Sequence, residues 1–154
     1  MAKESGIKPI AANKKARHKF ELLEKFEAGI ALKGTEVKSI RHGKVSLQES
    51  YARIRSGELF LIGANIAQYD AGSYLNHEPT RPRKLLMHRR EINRLDKIIA
   101  EKRLTIVPVR MYFKRGNVKV GLALARAKLK FEKRDDIKKR EDQRRIQREM
   151  SRRR

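Results

Sequence analysis

The sequence predicts a mainly β fold with helices (α+β): a small antiparallel β-barrel with two to three flanking helices and a basic C-terminal tail. Three observations carry this reading. Paired segments at 51–62 and 105–124 alternate apolar and polar residues about short turns. One stretch between them, 88–102, repeats apolar residues at helical spacing. The last 29 residues, 126–154, hold 14 Lys/Arg against 6 Asp/Glu and only Leu129, Phe131, Ile137, Ile146 and Met150 as large apolar side chains.

Residues 1–16 mix Lys, Ala, Pro9 and Asn13 without a period and read as a basic leader, flexible or ordered by a partner, so structure is expected to start near Arg17. His18 to Phe26 and Gly29 to Gly34 read as two antiparallel strands, Ile30 and Leu32 alternating in the second. Thr35 then caps a short helix through Arg41, with Glu36 in its first turn, Val37 and Ile40 on one face and Gly43 as its stop. Tyr51 to Arg55, the turn Ser56-Gly57 and Glu58 to Ile62 form the clearest hairpin in the chain. A loop rich in turn formers runs from Tyr69 through Gly72, Asn76, Pro79 and Pro82 and ends in the basic run Arg81, Arg83, Lys84.

From His88 to Lys102, Ile92, Leu95, Ile98 and Ile99 mark an amphipathic helix laid on a sheet. Thr105 to Phe113 and Val118 to Leu124 alternate about a Gly-Asn turn, with Val107, Val109, Met111 and Phe113 expected on one side. Pro108 has no N–H to give a ladder, so its strand should be an edge or be bulged there. Short antiparallel strands with two helices favour a closed or nearly closed barrel of the oligonucleotide-binding type (OB-fold-like) over residues 17–127. In the tail, 128–154, pairs four apart such as Asp135 with Lys139 bias a helix by only ~0.2–0.5 kcal/mol each. Ordering costs about 1–2 kcal/mol per residue, so coil or nascent helix is expected until a polyanion is met.

Net charge is +22 over 154 residues, with a pI near 10.8, and is spread over leader, middle and tail. Such a charge selects nucleic acid or an acidic membrane surface as partner. No apolar run approaches ~18 residues and no signal-peptide pattern opens the chain, which points away from the membrane and to the cytoplasm. With no cysteine, thiolate zinc sites and cysteine nucleophiles are excluded, and the four histidines have no metal-ligand spacing. Gly29 to Thr35 has the glycine spacing of a phosphate loop but Thr where its Lys must follow. Neither a nucleophile elbow nor a paired-carboxylate pattern stands out, so no enzyme, metal or cofactor is expected.

RNA binding asks for Lys/Arg on phosphates together with stacking faces and polar edges. Four basic clusters offer the cations: 13–18, Lys38 with Arg41 and Lys44, 81–84, and 128–134. Phe20, Tyr51, Tyr69, Tyr74 and Phe131 offer stacking faces, though aromatics in so small a fold are more often core. Phe131 sits in a tail without a core and is the first choice. Glu27, acidic amid basic residues, either pairs with a neighbouring cation or accepts a hydrogen bond from a base or 2′-hydroxyl.

Several long motifs in order resemble one family: NKKARHKF at 13–20, EAGIALKGTEVKSIRHGK at 27–44, the Ser50-Tyr51 pair, RPRKLLMHRREI at 81–92 and KFEKRDDIKKRE at 130–141. They are similar to the SsrA-binding proteins (small protein B, SmpB) of bacterial trans-translation, from about Ala12 to the chain's end. Monomer is the default oligomeric state, and the resemblance implies a barrel that binds the tRNA-like domain of transfer-messenger RNA (tmRNA). With elongation factor Tu and GTP it delivers that RNA to stalled ribosomes, where the tail folds as a helix along small-subunit rRNA in the empty messenger channel.

Family RNA-binding positions carry over to Asn13, Glu27 and Leu86. The candidate tmRNA-binding set joins to them Lys14, Arg17, His18, Lys38, Arg41, Arg83, Lys84 and Lys119. The set expected at the decoding centre and messenger channel is Tyr51, Lys128, Lys130, Phe131, Lys133 and Arg134, continuing through Lys138, Lys139, Arg140, Arg144 and Arg145. Departures from the family pattern are Ala127 before Lys128, Glu132 where Asp is usual, Phe131 for His or Tyr, and Phe20 for Tyr. The two phenylalanines keep a stacking face and lose a polar handle.

Overall fold

In the computed structural model, which describes residues 6–69 and 76–152 and only the backbone of 130–132, nine strands and four helices follow one another. They are β1 (Ile7–Ala12), α1 (Ala16–Lys19), β2 (Phe20–Ile30), α2 (Gly34–Arg41), β3 (Val45–Ser46), β4 (Tyr51–Arg55), β5 (Glu58–Ile62) and β6 (Asn65–Ile66), then β7 (Arg83–Leu86), α3 (Arg89–Lys102), β8 (Thr105–Lys114), β9 (Asn117–Ala127) and α4 (Lys130–Arg152). All ladders are antiparallel. β8 pairs with β9, β9 with β2, β2 with β7, β7 with β5 and β5 with β4, and β4 returns to β8 where Ala52 faces Ile106, so the pairings close into a ring. β1 adds to β8 outside this ring, and β3 with β6 makes a separate two-stranded ladder. This mainly β ring with flanking helices is the fold class that the patterning predicts.

Alternation fixes which side chains turn inward. Ala28, Ile30, Met111, Val120, Leu122 and Leu124 join Leu59, Leu61 and Leu85 in one core, and α2 and α3 cover it with Ile40, Ile92 and Leu95. At about 1.5–3 kcal/mol for each buried aliphatic side chain, this cluster dominates the stability of a chain without disulfides. The expected hairpins form. Ser56 and Gly57 take positive φ (52° and 77°), as do Arg115 and Gly116 (52° and 81°), the pattern of two-residue turns that match the twist of paired strands. The second turn is therefore Arg115-Gly116 rather than Gly116-Asn117.

Four expectations need correction. The leader is not structureless from 1 to 16: Ile7–Ala12 pairs with β8, with an irregular register between Pro9 and Ala11 that hides its period in the sequence. Residues 18–34 are not two paired strands. His18 belongs to α1, and a single eleven-residue β2 runs on to Ile30, bulged between Leu22 and Glu24 against β9. Gly29 does not open a second strand but lies within β2, where the Leu86 side chain comes close.

Thr35 does not cap α2; Lys33 holds the cap position, and its N–H donates to Glu36 Oε1 at 2.8 Å while the Thr35 hydroxyl pairs with His77 Nδ1. The tail, expected as coil or nascent helix, is a helix over Lys130–Arg152. In β8 the anticipated bulge lies between Pro108 and Arg110, so Val107 packs in a small second cluster with Ala16 and Ala125 while Ile106, Met111 and Phe113 serve the main core. Gly72 and Tyr74 of the long loop lie outside the described residues.

Candidate nucleic-acid interface

Because Ala28, Ile30, Met111, Val120 and Leu122 face the core, the residues between them on β2, β8 and β9 face away from it. Register then sets them side by side: Gly121 lies between Glu27 and Arg110, and Lys119 between Gly29 and Tyr112. The result is a cleft of about 520 Å³ whose walls include Arg17, Lys25, Glu27, Arg110, Tyr112 and Lys114, with Gly121 among its lining. Four cations in the cleft wall, with Lys119 beside them, surround one carboxylate and make a surface suited to a polyanion that also presents hydrogen-bond donors.

Glu27 accepts a hydrogen bond from the Tyr112 hydroxyl and another from Lys114 Nζ at 3.4 Å. The Tyr112 hydrogen bond, aided by the charges of Lys114 and Lys119, outweighs partial burial and holds the Glu27 carboxyl below the ordinary glutamate value. It is therefore ionised at neutral pH and acts as an acceptor only. The Arg110 guanidinium lies over the Tyr112 ring, 4.7 Å from its centroid. Gly29 keeps the neighbouring ground open: a Cβ there would stand 3.3 Å from Leu86 Cβ and 3.6 Å from Lys119 Nζ. Leu86, half exposed, thus lines up with Lys119 and Glu27 along one face.

Of the residues anticipated for RNA, this face gathers Arg17, Glu27, Leu86 and Lys119, with Lys84 two residues from Leu86 on β7 and paired with Glu58 at 3.2 Å. Lys14 is exposed just ahead of α1, and His18 is half-buried within it. Lys38 and Arg41 sit elsewhere, on the exposed side of α2. Tyr69 is occupied there by Lys38, 5.3 Å above its ring, and by a stacked His42 at 6.2 Å. Lys25, Arg110, Tyr112 and Lys114 were missed. For the last three the signal lies in the polar half of the β8 alternation, Arg110, Tyr112, Lys114, while Lys25 shares its face of β2 with Glu27.

One anticipated contact is corrected by burial, and a second residue turns out to hold the fold together as well. Arg83 is fully buried and cannot reach RNA: its Nε binds Glu36 Oε2, its Nη1 donates to Ala64 O at 2.8 Å and its Nη2 to Pro79 O at 2.9 Å. In the sequence this basic run looks like surface, because the buried acidic partner of Arg83 lies 47 residues away. Asn13, 7% exposed, pins its own segment. Its Nδ2 donates to Leu47 O (3.2 Å) and Pro108 O (3.0 Å), while its backbone N–H donates to Val109 O (2.8 Å). It thereby fixes the segment that carries Lys14, Arg17 and His18. Asn13→Ala strips two buried carbonyls of a donor and is expected to cost about 1–3 kcal/mol, measured by urea denaturation.

The tail starts against α1. Lys128 N–H donates to Lys19 O at 3.0 Å, and the largely buried Lys128 ammonium binds Asp136, one turn and more into α4. That hydrogen bond holds the Asp136 carboxyl below its ordinary value. Beyond it Arg134, Lys138, Lys139, Arg140, Arg144 and Arg145 are exposed, Arg145 pairing with Asp142 at 2.9 Å, and Lys133 is half-buried. Lys130 and Phe131 open α4, with side chains outside the described residues. Tyr51, 41% exposed, begins β4 and does not line the cleft.

Comparison with known proteins gives a consistent set. The family model described as SmpB protein matches residues 10–152. The SsrA-binding protein of Solidesulfovibrio magneticus is 53% identical over 151 residues, 98% of each chain, and that of Nostoc punctiforme 54% over 149 residues, 96% of each. A chain from the solved structure "tmRNA-SmpB: a journey to the center of the bacterial ribosome" superposes with a TM-score of 0.66 at 52% identity, covering 80% of this chain and 87% of that one.

Proposed function

This chain belongs to the SmpB family, and from that premise we propose that it binds the tRNA-like domain of tmRNA and brings it to stalled ribosomes for trans-translation. The observation that carries this reading is the cleft face of β2, β8 and β9, where Arg17, Lys25, Arg110, Lys114 and Lys119 surround an ionised Glu27 and Leu86 stands exposed beside them. The cations hold phosphates, which sets affinity. The carboxylate and the apolar side chain discriminate by hydrogen bonding and shape.

The basic helix α4 has a separate role. It extends about 34 Å at ~1.5 Å per residue and carries cations on every side, the form that suits an RNA-walled channel. In the proposed sequence, the cleft holds tmRNA while elongation factor Tu with GTP escorts the complex, and α4 then enters the vacant messenger channel, with Tyr51 and Lys128 near the decoding centre. The protein works by binding, without turnover, as a monomer in the bacterial cytoplasm. Among the described residues no helix is long and apolar enough to cross a membrane.

The test is competition binding of the full chain to the tRNA-like half of tmRNA against elongator tRNA and a size-matched hairpin at two salt concentrations. The reading expects the tRNA-like domain to win by tens-fold and to keep that preference as salt rises. Three RNAs that bind alike and weaken together with salt would reduce the interaction to phosphate electrostatics and overturn it.

A further inference from the structure

We infer that a second pocket, where β1, the C-terminal end of α2 and the β8–β9 turn meet, takes a bulky apolar side chain from an acidic segment of a protein partner. Its volume is about 410 Å³, and its floor is Ile10, Ile40 and Phe113, which belong to the main core or pack against it. Ile40 is only 1% exposed, so the pocket reaches down to the core itself. Alternation along β8 sends Phe113 inward, while Tyr112 and Lys114 line the cleft. Pocket and cleft therefore lie on opposite faces of one strand and can be filled together.

Lys8 and Arg41 stand exposed at the rim, and among the described residues neither is engaged by a carboxylate. Other exposed cations find local acids: Lys84 has Glu58, Arg94 has Glu24 and Arg126 has Glu21. The rim charges are thus left for a partner's carboxylates, and the floor for its apolar anchor. An RNA base fits less well. Recognition of unstacked bases uses donors and acceptors matched to their edges, whereas Lys8 and Arg41, which only donate, are the sole polar side chains lining this pocket. An added strand fits no better. Among the described residues β1 pairs with β8 alone, which leaves its other edge open, but Pro9 within it has no N–H to offer a newcomer. Side chains must carry the recognition, with one large apolar anchor flanked by Asp or Glu.

The experiment titrates the full chain into a labelled, capped acidic peptide that carries one phenylalanine between glutamates, read by fluorescence anisotropy, with amide NMR shifts to locate the site. Shifts should centre on Lys8, Ile10, Arg41 and Phe113. The same peptide with alanine for phenylalanine should bind about tenfold more weakly, the size of one lost anchor. Lys8→Glu should weaken the phenylalanine peptide by about fivefold, whereas Lys97→Glu, the same charge change on α3 and away from the pocket, should alter it by less than about twofold. Melting temperature checks that both variants are folded. The peptide should remain bound when the tRNA-like half of tmRNA is present in excess. Equal binding of the two peptides, or equal losses from Lys8→Glu and Lys97→Glu, would reduce the effect to net charge and overturn the pocket. Displacement of the peptide by the RNA would overturn it too, by giving this face to nucleic acid. None of these outcomes decides the preference for the tRNA-like domain, which the competition among RNAs measures separately.

Discussion

Replacing Arg83 with alanine is expected to remove about 3–5 kcal/mol of folding stability. Both side chains of the Arg83–Glu36 pair are fully shielded from water. The desolvation of two charges is offset only because every polar atom finds a partner: Glu36 takes Arg83, Arg81 and the Lys33 N–H, and Arg83 also satisfies the carbonyls of Ala64 and Pro79. Removing the guanidinium leaves a buried carboxylate with reduced compensation and two carbonyls without that donor. Arg81→Ala provides the internal comparison. Its side chain is 28% exposed, water can replace part of what it gives, and its cost should be clearly smaller. Equal losses for the two arginines in urea denaturation would contradict this account.

The same carboxylate gives the fold a pH dependence whose sign is fixed. Burial pushes the Glu36 pKa up, but the Lys33 N–H, Arg81 and Arg83 together pull it below the ordinary glutamate value. A folded pKa lower than the unfolded one means stability that is complete above the unfolded value and lost as pH falls through the folded value. Acid unfolding of the wild type should steepen there, and Glu36→Gln should flatten that part of the curve while lowering stability at neutral pH.

What could be read from the sequence divides along a physical line. Features set by neighbours in the chain were legible: the 51–62 hairpin, the helix over Ile92, Leu95 and Ile99, and the bulge at Pro108 all follow from period or from a missing N–H. Features set by distant partners were not. Arg83 looks like any surface cation until Glu36 is brought to it, and β1 shows no period because it leans on β8 across an irregular register. The cleft was half legible for the same reason. Glu27 stood out as an acid among bases, yet its partner Tyr112 lies 85 residues away, and only the pairing of β2 and β8 with β9 brings them together.

A chain that ends at Lys128 is expected to bind the tRNA-like domain within a few-fold of the full protein while losing peptide tagging on stalled ribosomes altogether. The expectation follows from where the two sets of residues sit. Every lining residue of the cleft precedes Lys128, and the ring of strands closes by Ala127. Lys128 would lose Asp136, but the backbone bond to Lys19 O that ties the end of β9 to α1 remains. The helix itself gives little to the fold: Ile137, Ile146 and Met150 are 42–68% exposed, and its cations face outward. A helix that is polar all round finds little stabilising surface in its own fold, and +6 of net charge over residues 129–154 suits it to a polyanion. Loss of the helix should therefore lower affinity for all RNAs alike and reduce the salt slope, leaving the preference for the tRNA-like domain in place. Filter binding and an in vitro tagging reaction on ribosomes programmed with a truncated message separate the two activities. Parallel loss of both would mean that cleft and helix act on one RNA, and would sink the two-site division.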